Sequence, residues 1–216
     1  WTVPAIRRSA RGGRSGETTR MTAHRQDMPL RAPGELCLFA KRPIAGRVKT
    51  RLASSLVSER AAELAAAFLE DALLSLRSAG RPFVLALDAM DEELAGQDRV
   101  VLQGEGDLGE RITRVLREIL GQSGYVIALG ADTPGLPWAF VGRAAALLED
   151  PCGPDVVIGP TADGGFYVLG VRELPADALD GVRWSTEHAC ADVEARFGAR
   201  GMRIGRLPGW FDVDVL

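Results

Sequence analysis

Lysine is almost absent from this 216-residue chain: only Lys41 and Lys49 occur among its 26 basic residues, and the rest are arginines. No apolar run approaches the ~20 residues that a membrane-spanning helix needs, so no membrane span is expected. The cysteines (Cys37, Cys152, Cys190) are far apart and lack metal-ligand spacing. That excludes a disulfide framework and a thiolate cluster, and predicts a reducing, cytoplasmic setting. Histidine occurs twice. His24 lies in the N-terminal stretch, and His188, on a predicted helix with no second histidine near it, reads as structural. Neither Gly-x-x-x-x-Gly-Lys-Ser/Thr nor a Gly-x-Gly-x-x-Gly after the first strand is present. A Walker-type phosphate loop is therefore excluded, and a dinucleotide-binding dehydrogenase is disfavoured.

What remains is ordinary for one globular domain, with 46 % hydrophobic and 25 % charged residues. Charge is unevenly spread. Residues 1–34 hold seven arginines against Glu17 and Asp27, a net of +5, so a whole-chain charge of −3 leaves −8 on residues 35–216. An acidic body argues against nucleic-acid binding, which needs many Lys and Arg contacts to phosphate. The basic stretch 1–34, rich in Arg, Gly, Ser and Thr, reads as a disordered arm or an extension. Met21 and Met28 are alternative starts, and the stretch stands apart from the fold.

From Glu35 onward, short apolar runs alternate with helical patterns. Strands are expected over 35–40, 82–88, 99–104, 125–132, 155–160, 166–171 and 201–208, and helices over 58–80, 108–121, 137–150 and 185–198. Continuous Val/Ile/Leu strands separated by helices predict one α/β domain over 35–216, a mostly parallel sheet covered on both faces. In such sheets ligands sit beyond the carboxyl ends of the strands, so the loops there are the candidates.

Both lysines fall in the first of these loops, KRPIAGRVKTRL (41–52). Lys41, Arg47, Lys49 and Arg51 supply cations, and Gly46 allows close backbone approach. The segment predicts a phosphate-binding loop, against the plainer alternative of a solvated basic turn. In QGEGDLGERI (103–112), Gln103 and Asp107 are candidates to bond a base, ribose or acceptor. Alternatively, the run is a glycine turn with Asp107 as helix cap. GADTPGLP (130–137) sets Asp132 at a strand tip, suited to a hard divalent cation or to an Asx turn. GPTADGGFYVLG (159–170) brings Asp163, Gly164 and Gly165 to the ligand side, or forms a plain Asp-Gly hairpin. In GWFDVDVL (209–216), Asp212 and Asp214 project to the same side of an extended chain and with Asp132 are candidates to complete a metal site; the plainer alternative is a frayed acidic terminus.

KRPIAGRVKTRLA, GEGDLGERI, GADTPGL, GPTADGGFYVLG, WST (184–186) and DVD (212–214), in this order, resemble the radical-SAM/selenodomain-associated transferase 1 family. That family is GT-A-fold and glycosyltransferase-like, and is related to phospholactate and molybdenum-cofactor guanylyltransferases. The resemblance covers residues 35–216. It implies a single-domain GT-A, or nucleotide-diphosphosugar transferase, fold using Mg²⁺ or Mn²⁺. By motif, Lys49 and Arg51 would hold phosphates and Asp132 would be the first metal ligand. Asp214, with Asp212, would be the second, and Asp163, Trp184 and Ser185 would face the acceptor. The family usually continues past Asp-Val-Asp with Thr-Pro and a closing helix; here the sequence ends at Leu216. Two explanations stand, a shortened terminus or a less firmly held second ligand.

The expected activity is metal-dependent transfer of a group from a nucleotide-sugar donor to a small-molecule acceptor, with Asp132, Asp163 and Lys49 in the catalytic roles. The alternatives are nucleotidylyl transfer from an NTP to a phosphorylated acceptor, and a non-catalytic nucleotide-binding module. A homodimer is left open.

Overall fold

A computed structural model describes residues 32–49 and 57–213. All of them belong to one compact unit, Arg31–Leu216. Arg51 and Asp214, both proposed as ligands from the sequence, and the basic stretch 1–31 lie outside the described residues.

Seven strands form one sheet: β1 Glu35–Ala40, β2 Phe83–Leu87, β3 Arg99–Leu102, β4 Val126–Gly130, β5 Val156–Pro160, β6 Phe166–Val171 and β7 Ile204–Arg206. Their order is β3-β2-β1-β4-β6-β5-β7. The pairs β1–β2, β1–β4, β2–β3 and β5–β7 are parallel. β6 runs antiparallel to both β4 and β5. The short Thr161–Gly165 turn explains this, because a parallel pairing needs a crossover of a dozen or more residues.

The central strands are apolar along most of their length because both faces of the sheet are covered, and charges such as Glu35, Arg99 and Arg206 stand at strand ends. Helices α1 (Ser58–Ser78) and α4 (Trp138–Glu149) pack on one face. There Leu69, Leu73, Val141 and Leu148 meet Leu36, Leu38 and Ile127. Helices α3 (Leu108–Leu120) and α5 (Ala189–Gly198) cover the other, where Val115, Ile119, Val193 and Phe197 meet Cys37, Val84 and Ile158. Alternate β1 residues therefore point to opposite layers. Burial pushes the Cys37 thiol well above its ordinary pKa, so it packs as an apolar side chain.

The helices depart from the sequence reading in three places. α1 ends at Ser78, short of the expected 80, and its N-terminal cap is Val57, with no side-chain bond. A four-residue helix absent from the sequence reading, α2 (Glu92–Ala95), follows β2 and is capped by Asp91, which accepts from the Leu94 N–H. The α5 helix begins at Ala189 and not at Ser185. Ser185 holds a left-handed φ of 59°, and Thr186 closes a turn by donating to the Arg183 carbonyl and accepting from the His188 N–H. At the β7 edge, the Arg203 backbone and guanidinium both donate to Asp155 at the start of β5. These bonds hold the Asp155 carboxyl below its usual pKa.

Candidate functional site

β1 leads to its neighbour β2 on one side, and β4 adjoins it on the other, so the order reverses between them. A crevice opens at that point beyond the strand ends, where ligands bind in open α/β sheets. Here it is a cleft of ≈ 540 Å³. Its walls come from the ends of β1 (Phe39, Ala40), β3 (Gln103) and β4 (Gly130), and from the start of β6 (Phe166).

The lysine loop forms one rim, and Lys41, Arg47 and Lys49 line the cleft. Lys49 Nζ lies 2.9 Å from Asp132 Oδ1, with the lysine side chain 4 % exposed and the aspartate 57 %. The loop's other described arginine, Arg42, is engaged elsewhere. Its Nε pairs with Asp91 at 2.9 Å, tying the loop after β1 to the loop after β2. The latter was not singled out from the sequence, although its position after a strand was the available signal.

Asp132 follows β4, and the segment after β7 arrives beside it. That segment is moored by main-chain hydrogen bonds, by the buried Leu207 and by the Trp210 indole, which donates to the Pro134 carbonyl and packs on Phe140. Leu207 N–H donates to Ile158, Trp210 N–H to Pro160 and Val213 N–H to the Asp132 carbonyl at 3.2 Å, while Trp210 accepts from Ala162 N–H. The Tyr167 hydroxyl adds a bond to the Pro208 carbonyl. Asp212 thereby reaches the same cleft as Asp132. Among the described residues no three His, Cys, Asp or Glu side chains converge. Asp132 and Asp212 nevertheless offer hard oxygen donors, and Asp132 already accepts a cation in the form of the Lys49 ammonium. This donor chemistry fits Mg²⁺ or Mn²⁺.

Asp163, Gly165, Phe166, Trp184, Ser185 and Thr186 also line the cleft. Asp163 Oδ1 accepts from Thr161 Oγ1 at 2.6 Å and from the Gly165 N–H at 3.0 Å, which orients the carboxylate on its own hairpin. Trp184 stands edge-on to Phe166, ring centroids 6.1 Å apart. Its indole rests on Gly109, where a Cβ would collide with Nε1.

Several sequence candidates serve the scaffold instead. Asp107 is the cap of α3 in a reciprocal capping box with Glu110. It does not line the cleft, which corrects its reading as a ligand contact. Gly164, at φ 88°, abuts the Glu187 main chain and accepts from the Cys190 N–H; it anchors the hairpin to α5, and Gly165 reaches the cleft in its place. Gly46, at φ 76°, shapes the lysine loop without lining the cavity. Gln103 does line it, but it is 3 % exposed and its amide nitrogen donates to the Ala40 and Ala86 carbonyls. Its role is first to clamp the ends of β1 and β2.

The family model described as "Uncharacterized protein conserved in bacteria (DUF2064)" matches residues 72–186. A 2-phospho-L-lactate guanylyltransferase from Methanothrix thermoacetophila is 32 % identical over 128 residues, 58 % of this chain and 56 % of that one. The likeness thus spans little more than half of either protein. Among solved structures, a protein from Desulfovibrio desulfuricans G20 assigned as a nucleotide-diphospho-sugar transferase superposes with a TM-score of 0.77 at 28 % identity, covering 84 % of this chain and 82 % of that one. CMP:2-keto-3-deoxy-manno-octonic acid synthetase complexed with CTP shares the fold at a TM-score of 0.55 and 12 % identity, covering 85 % of this chain and 94 % of that one.

Proposed function

The chain belongs to the DUF2064 family, and from that premise we propose that it is a nucleotide-dependent transferase moving a sugar from a nucleoside-diphosphate donor to a small acceptor. The observation that carries this reading is the cleft itself, which is lined by a lysine–aspartate pair together with the Asp163 carboxylate and the Phe166 and Trp184 rings. The order of motifs supports placing the chain in the radical-SAM/selenodomain-associated group, and the separate thiols support a cytoplasmic setting.

In this reading Lys49 and Arg47, with Arg51, meet the donor's diphosphate. Charge accumulates there as the bond from the β-phosphate oxygen to the sugar's anomeric carbon breaks, so fixed cations favour the transition state over the bound donor. Asp132 and Asp212, with Asp214, would hold Mg²⁺ or Mn²⁺, which supplies further Lewis-acid stabilisation to the departing diphosphate. Trp184 and Phe166, set edge to face, offer an aromatic corner for the acceptor. As an acceptor hydroxyl bonds to the anomeric carbon, Asp163 takes its proton; hydrogen bonds to Oδ1 fix the carboxylate for that step.

A second reading has specific support. The 32 % identity to a guanylyltransferase favours attack of an acceptor phosphate on the α-phosphate of an NTP, with pyrophosphate leaving. The structural likeness that runs through more than four-fifths of both chains is to the sugar-nucleotide protein, and on that ground the first reading leads. Assaying hydrolysis and transfer from UDP- and GDP-sugars beside pyrophosphate release from each NTP separates the two. Asp132→Ala should abolish the Mg²⁺-dependent part of nucleotide binding. Unchanged Mg²⁺-dependent affinity would remove the metal assignment, and nucleotide-induced thermal stabilisation without turnover of any donor would leave a binding module.

A further inference from the structure

The pair between Lys49 and Asp132 is lopsided. The lysine side chain is nearly sealed from solvent, whereas the carboxylate it touches stands in the open. Lys49 also holds a left-handed φ of 48°, a conformation uncommon for a residue with a side chain. Gly46 in the same loop is left-handed too, with nothing within 4 Å of where its Cβ would stand. The Phe68 ring lies 6.0 Å from Nζ, so the ammonium meets an aromatic face there, and Asp132 is a counter-ion of a lysine side chain that water scarcely reaches.

A divalent cation binds a carboxylate oxygen at roughly 2.0–2.1 Å if it is Mg²⁺. An ammonium 2.9 Å from Oδ1 draws on the same lone pairs, and two cations at one carboxylate repel each other. A cation arriving alone must displace the ammonium from that carboxylate. When a diphosphate arrives with the cation, phosphate oxygens can take over the lysine.

We propose that Lys49 and the divalent cation compete for Asp132, so that the lysine is handed from carboxylate to diphosphate only when cation and nucleotide arrive together. This rests on the reading that a diphosphate lies between these groups. It goes beyond that reading by making the lysine a gate on cation entry as well as a phosphate ligand.

Competition has a signature that neither a plain phosphate ligand nor a structural residue shares: one substitution moves two affinities in opposite directions. Mn²⁺ alone is titrated into the full chain by electron paramagnetic resonance. UDP and GDP are measured separately by equilibrium dialysis in EDTA. In Lys49→Met, Mn²⁺ should bind on the order of tenfold tighter than in the wild type and the preferred nucleotide on the order of tenfold weaker, the scale of one charge-assisted contact. Asp132→Asn should lose the Mn²⁺ uptake. Lys49→Gln repeats the measurement if the methionine variant does not fold. Mn²⁺ affinity unchanged or lowered in the lysine variants overturns the competition, and if nucleotide binding still falls, the phosphate role survives it. If the wild type takes up neither Mn²⁺ nor either nucleotide, both readings fail.

Discussion

Replacing Gly109 with alanine tests whether the wall of the cleft is set by the start of α3. Two opposed effects can be weighed. Alanine inside a helix is favoured over glycine by roughly 0.5–1 kcal/mol, since glycine loses more backbone freedom on folding. Against this, the new Cβ would run into the Trp184 indole nitrogen and approach Asp107 Oδ1 to 3.3 Å. Overpacking of this kind costs roughly 1–3 kcal/mol. Because Trp184 also packs on Phe166 and Asp107 is locked in the capping box, neither neighbour can swing away cheaply. The expected net is a loss of about 1 kcal/mol, measured by urea denaturation followed by circular dichroism. Trp184→Phe removes the atom that the methyl would strike. The double variant Gly109→Ala/Trp184→Phe should therefore recover part of the loss, with a coupling of at least about 0.5 kcal/mol, the lower end for residues in contact. An alanine variant more stable than the wild type, with no coupling to Trp184, would refute the argument.

Two further tests concern titration. Asp155 is held below its ordinary pKa chiefly by the Arg203 guanidinium and then by the Arg203 N–H, so its stabilising contribution is present above the unfolded value and disappears as pH falls through the lower native one. Asp155→Asn should be less stable than the wild type near neutrality, and the gap should narrow as the pH falls below the ordinary carboxylate range; a gap that does not narrow in urea titrations carried into acid would contradict it. The chain's two tyrosines are both pushed up to about 12, Tyr125 by burial and its bond to Glu149, Tyr167 by burial. That stability is complete below the unfolded value near 10 and is lost as pH climbs towards 12. Absorbance at about 295 nm should show no tyrosinate near pH 10 while the protein stays folded, and an inflection there would be the opposing result.

Much of the architecture was legible because its causes are local or periodic. Runs such as VVIGP and FYVLGV are apolar on both faces because helices cover both, and that pattern survives in one dimension. The direction of β6 was not legible from apolarity, since a buried strand reads the same either way; the brevity of the Thr161–Gly165 link was the usable clue. The start of α5 was misplaced because Ser185, in a region that β-carbon-bearing residues avoid, is held there by the surrounding fold. The capping box at Asp107 and Glu110 was readable from spacing alone, and it outweighed the ligand reading. At the cleft, the strand-tip rule led to Lys49, Asp132 and Asp163, whose places follow from chain order. The seat of Trp184 on Gly109 and the bond from Arg42 to Asp91 join residues remote in sequence, and no spacing records them.

The mooring of residues 207–213 has a consequence for how freely this stretch can vary. Much of its hold on the sheet is written in peptide groups, which every amino acid but one carries in full. Substitutions that spare Asp212, the buried Leu207 and the Trp210 indole can thus rewrite the lettering without shifting the segment that delivers the carboxylate. Proline is the exception: at 207, 210 or 213 it would erase a donor that the fold uses. Pro208 is already present at a position where only a carbonyl is asked for.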